Sequence, residues 1–94
     1  MVKLVFDPRG RVPAPSIHPA PRIASLDGLR IGVLNNTKWN AAKLLRGIVA
    51  ALGSDAAQAT VHHYSKETYT RAALPSLLDQ ICSQNDVALV AIGD

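Results

Sequence analysis

The chain has 94 residues, enough for one small domain, and 48% of them are hydrophobic against 18% charged, the balance of a globular chain rather than a disordered one. The formal net charge is only +3, and five basic residues (Lys3, Arg9, Arg11, Arg22, Arg30) against two acids (Asp7, Asp27) place the surplus in the first 30 positions. With four aromatics in all (Phe6, Trp39, Tyr64, Tyr69) there is no basic stripe interleaved with stacking residues, so a nucleic-acid surface is not indicated.

One cysteine, Cys82, excludes an internal disulfide and a cysteine-based zinc site within one chain. No apolar run approaches the ~20 residues of a membrane span. The opening MVKLVFDPRG lacks the apolar stretch of a signal peptide. The compartment expected is the cytoplasm.

Val2 to Phe6 reads as a short strand, stopped by Asp7-Pro8. Five of the six prolines then fall between positions 8 and 21. Proline fixes φ and removes a backbone donor, so residues 8–22 form neither helix nor interior strand. They read as an extended, polyproline-like arm, and residues 1–25 are set apart from an α/β domain over 26–94.

After a turn at Leu26-Asp27-Gly28-Leu29, the run Arg30-Ile31-Gly32-Val33-Leu34 has the form of a strand buried on both faces. Asn35-Asn36-Thr37 is a turn-and-cap cluster, with Asn36 or Thr37 expected to cap the helix that follows. Ala41, Leu44, Leu45, Ile48, Val49 and Leu52 form one helical stripe, and Gly53 stands at its stop. Ala59 to Tyr64 reads as a second strand and 65–73 as loop. Leu74, Leu77, Leu78 and Ile81, with Pro75 in the first turn, make a second helix. Val87 to Ile92 is a third apolar run.

Strand, helix, strand, helix, strand means two βαβ units. The fold class expected is α/β: a Rossmann-like three-layer fragment with a parallel sheet over residues 30–94 and a Pro-rich N-terminal arm. A three-strand sheet leaves an edge uncovered. A homo- or hetero-oligomer through that edge is the partner arrangement expected.

The individual reactive residues carry little chemistry. Cys82, late in a helix and away from cations, reads as a small buried hydrophobe. His62 and His63 are adjacent in a strand, point to opposite faces and do not share a metal. Neither a phosphate-loop glycine run, nor GxGxxG, nor a carboxylate pair is present. A constellation remains. In a parallel sheet the loops that follow the strands lie at one end, which groups Asn36, Lys38 and Asn40 with Lys66 and Arg71, and with Gly93 and Asp94. Two lysines and an arginine there, with a helix N-terminus, suit a small anionic or thiol substrate, and Lys38 and Lys66 are expected to flank a common point.

The stretch Leu26 to Ala41, LDGLRIGVLNNTKWNA, resembles the opening of the UGSC family of (seleno)proteins, whose pattern reads IGLLDNGKPNA before a leucine-rich helix. Lys66 and Arg71 match a basic loop of that pattern, and Val90-Ala91-Ile92-Gly93-Asp94 matches the stretch just before the motif U/C-G-S-C. The likeness spans about residues 22–94. Trp39 stands where proline is usual, and Asn35-Asn36-Thr37 replaces Asp-Asn-Gly. The resemblance implies a Rossmann-like fold and thiol- or selenol-based redox chemistry. It puts the reactive selenocysteine or cysteine at the position after Asp94, so no catalytic residue and no separate cofactor is expected in these residues. A chain ending at Gly93-Asp94 is also what reading a selenocysteine UGA codon as stop would yield. Two other readings stay open: a small α/β module that completes its sheet with a partner chain, and a Rossmann-type domain for a phosphate ligand.

Overall fold

The computed structural model describes residues 2–93. Their elements run β1 (Arg30–Asn35), α1 (Ala41–Leu52), a 3-10 turn (Gly53–Ala56), β2 (Thr60–Ser65), α2 (Pro75–Gln84) and β3 (Val87–Ala91). The sheet order is β2-β1-β3, and β1 pairs parallel with both neighbours, Ile31 facing Val61 on one side and Val87 on the other. The βαβαβ arrangement expected from the alternating apolar runs is the one observed.

The central strand takes its place because it is apolar on both faces. Ile31, Val33 and Leu34 are buried. Ile31 and Val33 pack with Leu45 of α1 and Ala91 of β3, and Val49, Val61, Val87 and Leu89 close round them. Alternation along the strand turns Gly32 and Leu34 to the opposite face, where α2 lies. The two helices therefore cover opposite faces, and the unit has three layers.

Gly32 sets how closely α2 approaches. A Cβ at that position would lie 2.9 Å from Asn85 Nδ2 and 3.3 Å from Ile81 Cγ2. Asn85 fixes this end of the helix. Its Nδ2 donates to the Ile81 carbonyl and to Tyr64 Oη, both at 2.9 Å, and its Oδ1 lies 2.9 Å from His62 Nδ1. With Nδ2 committed as the donor, Oδ1 is the acceptor, and His62 carries its proton on Nδ1. Tyr64 Oη in turn donates to Gln84 Oε1 at 2.6 Å. The end of α2 is thus tied to β1 and β2. On the same face β3 is left open, and Val90 is 64% exposed.

The next residue, Asp86, clamps β1 to β3 at the amino ends of the strands. Its carboxylate accepts from the Arg30 backbone at 2.9 Å and from the Arg30 guanidinium at 3.0 and 3.2 Å, while its own N–H donates to the Arg30 carbonyl at 2.8 Å. The hydrogen bonds from Arg30, the side-chain one foremost, hold the Asp86 carboxyl below its ordinary value.

Three expectations need correction. Residues 2–6 form no strand: they are extended and exposed, with no ladder partner among the described residues. Their composition favours β structure, but a strand exists only when its backbone groups are paired. The arm over 8–22 carries neither helix nor strand. Cys82 is exposed rather than buried. Ile81 holds the inward position, and Cys82, about 100° further round the helix, borders the open face of β3. Neither Asn36 nor Thr37 caps α1. The helix starts one residue after Asn40, which has φ of 67° and makes no side-chain cap bond.

Two outcomes follow for stability. Gly32→Ala pushes Asn85 off its three partners, and overpacking of this kind costs about 1–3 kcal/mol, read as a lowered urea midpoint. Asp86 has a depressed folded-state pKa, so its contribution is fully present above the unfolded carboxylate value of about 3.9 and is lost as pH falls through the lower folded value. Asp86→Asn should flatten that part of the acid limb in urea midpoints measured across the acid range.

Candidate functional site

The order β2-β1-β3 sends the chain from β1 outward to one side and then back across β1 to the other. The reversal leaves a switch point between the carboxyl ends of β1 and β3, where parallel α/β sheets hold their ligands. Asn36, the first residue after β1, closes the seam. Its backbone N–H donates to the Ala91 carbonyl at 3.0 Å and its Nδ2 to the Ile92 carbonyl at 2.6 Å.

The turn that follows is held by its own side chains. Asn35 Oδ1 accepts from the Thr37 N–H at 2.8 Å, Asn36 Oδ1 from the Lys38 N–H at 3.2 Å, and Thr37 Oγ1 donates to the Asn36 carbonyl at 2.6 Å. Thr37 has φ of 67°, a left-handed conformation that is costly for a β-branched residue. Lys38 and Trp39 then lead into α1.

Above the switch point an open cleft of about 750 Å³ is lined by Lys38, Trp39, Tyr69, Thr70 and Ile92. Trp39 is 84% exposed and Tyr69 59% exposed. Exposed aromatic surface at the carboxyl edge of a sheet is characteristic of a binding cleft rather than a core.

Among the residues expected from the sequence, Lys38 lines this cleft, and Asn36 bonds the carbonyl of its Ile92 wall. Lys66 and Arg71 line a neighbouring cleft of about 260 Å³, together with Ser65, Glu67 and Leu77. The Lys66 N–H donates to the Asn35 carbonyl at 2.9 Å, and its ammonium donates to the Arg71 carbonyl at 2.6 Å. Lys66 thus braces the 65–71 loop, which carries Tyr69 and Thr70 to the first cleft. Asn40 is the left-handed residue before α1 and borders an apolar groove along that helix with Leu44 and Ile48. Gly93 is exposed just beyond β3. Asp94 lies outside the described residues.

Trp39, Tyr69, Thr70 and Ile92 were not singled out by the sequence reading. Trp39 carried a signal: it stands in the loop after β1 and departs from the proline of the family pattern. Tyr69 and Thr70 carried none, because a loop of nine residues has no periodicity to place its side chains.

The sequence matches the UGSC family over residues 4–94. The chain belongs to the UGSC family. No curated protein and no solved structure matches the chain. The UGSC pattern favours glycine where this chain has Thr37, and the backbone there has the positive φ that glycine enters without cost. Residues 8–22 of the arm lie inside the family match. No helix among the described residues is long and apolar enough to cross a membrane.

Proposed function

We propose that the cleft at the carboxyl ends of β1 and β3 binds a small anionic thiol substrate for the thiol- or selenol-based redox chemistry that the UGSC pattern implies. The observation that carries this reading is the convergence of one ammonium-bearing side chain, Lys38, with two exposed aromatic rings, Trp39 and Tyr69, at the switch point.

Each residue then has a role set by its chemistry. Lys38 supplies the positive charge for a carboxylate, and it lies beside the start of α1, where the helix dipole adds to the attraction. Trp39 and Tyr69 offer apolar faces to a short carbon chain. Thr70 offers a hydroxyl. Asn36 positions the Ile92 wall through its bond to that carbonyl. Lys66 acts at one remove, by bracing the loop that holds Tyr69. In the family pattern the reactive sulfur or selenium belongs to the position that follows Asp94. The same ammonium of Lys38 would favour its anionic form.

The test uses the single tryptophan as its reporter. Titration with 3-mercaptopropionate should change Trp39 fluorescence saturably. Lys38→Met should weaken that binding about fivefold, the equivalent of roughly 1 kcal/mol for a half-buried charge pair open to solvent on one side. The methyl ester of the probe, which lacks the charge, should bind the parent chain as weakly as the acid binds the variant. An equal affinity for acid and ester contradicts the anion-binding role.

A further inference from the structure

The N-terminal segment presents an energetic problem that the rest of the fold does not solve. Val2, Leu4, Val5 and Phe6 are between 85% and 101% exposed. These are strand-forming residues, and no other described residue covers them. The arm makes the molecule long, with extents of 69 × 33 × 26 Å and a radius of gyration of 19.1 Å, against about 12 Å for a compact chain of this length.

On the sheet, β3 has the complementary problem. One edge is paired to β1 and the other has no partner among the described residues. The strand reads Val87-Ala88-Leu89-Val90-Ala91 and carries no charge to guard that edge. On the α2 side Val90 is 64% exposed and Leu78 of α2 46% exposed. A cleft of about 250 Å³ between the helix and the strand is lined by Ile81, Cys82, Val87 and Ala88. The β2 edge differs, with His62, His63 and Tyr64 in place of aliphatic residues.

We propose that residues 2–6 of one copy pair along the free edge of β3 in a second copy, and that the exchange is reciprocal, giving a dimer. The alternation in Val2-Lys3-Leu4-Val5-Phe6 places Val2, Leu4 and Phe6 on one side. That side meets the uncovered surface of Ala88 and Val90. Asp7 and Pro8 end the added strand, and Arg9 locks the turn by a two-pronged bond to Asp7 at 2.6 and 2.9 Å.

The spacer selects a second copy over the same chain. Residues 8–22 hold five prolines and behave as a semi-rigid rod of about 3.1 Å per residue, roughly 45 Å in all. A stiff rod does not fold back on the sheet from which it springs, so the local concentration of residues 2–6 at their own β3 is low. The areas also suffice. Val2, Leu4 and Phe6, at roughly 150 Å² each, donated twice and matched by the acceptor surface, reach the ~1,600 Å² of a stable interface. The proposal does not depend on the ligand cleft, which lies at the carboxyl end of β3 rather than along its free edge and includes none of residues 2–6.

The experiment is sedimentation equilibrium of the full chain, with hydrogen exchange of residues 3–6 read at high and low protein concentration. The expected result is a reversible dimer whose arm amides are protected only in the dimer. Phe6→Asp should weaken association at least tenfold, since it removes a large apolar anchor from the interface. Its sheet should remain folded by circular dichroism, because Phe6 contributes nothing to the core. Val90→Lys, on the acceptor side, should weaken association similarly. A monomer at all concentrations overturns the proposal, as does a dimer whose affinity ignores Phe6→Asp. Concentration-independent protection of residues 3–6 would show the arm folded on its own chain and overturn it equally.

Discussion

The whole structure depends on β1 being paired on both edges and covered on both faces. Arg30 to Asn35 hydrogen-bonds to β2 and β3 in parallel register, with Ile31 and Val33 against α1 and Gly32 against α2. Parallel strands joined by helices need right-handed crossovers, so one helix must go to each face. Once β1 is central, the carboxyl ends of all three strands are brought to one edge. The loops that follow β1 and β2 then have nowhere else to be. The site is a consequence of strand order before it is a consequence of any particular side chain.

Asparagine does much of the fine positioning. Asn36 spans the β1–β3 seam by reaching the Ile92 carbonyl, and Asn85 ties α2 to β2 through His62 and Tyr64. An amide has both donors and an acceptor, so one side chain satisfies two strands at once. The same tethering explains the open surface. By fixing the end of α2 over β1 and β2, Asn85 leaves the α2 side of β3 uncovered. The exposed Cys82 and Val90 are two views of that asymmetry.

The fold was legible because its signals are periodic. Apolar runs at 31–34 and 87–92, and a helical stripe over 41–52, leave little choice of element or order. The errors fall where local sequence competes with tertiary partners. Val2 to Phe6 has strand composition but no strand, since pairing is not a local property. Asn36 has cap composition but no cap, because α1 starts only at Ala41 and the Asn36 Oδ1 already accepts from the Lys38 N–H. Cys82 has a core residue's chemistry but sits one step round the helix from Ile81. The cleft was legible in part. Lys38 follows directly from strand and loop order, whereas Tyr69 and Thr70 come from an aperiodic loop whose course is set by the Lys66 ammonium on the Arg71 carbonyl.

The central claim is that the edge between β1 and β3 is where this UGSC chain meets its ligand. The most direct measurement is the backbone amide map of the full chain by heteronuclear NMR during titration with 3-mercaptopropionate. The account predicts that the shifting amides cluster at residues 36–40, 68–71 and 91–93, three segments distant in sequence and joined only by the parallel topology. Shifts centred instead on Arg9, Arg11 and Arg22 of the arm, where the chain's surplus positive charge lies, would contradict it.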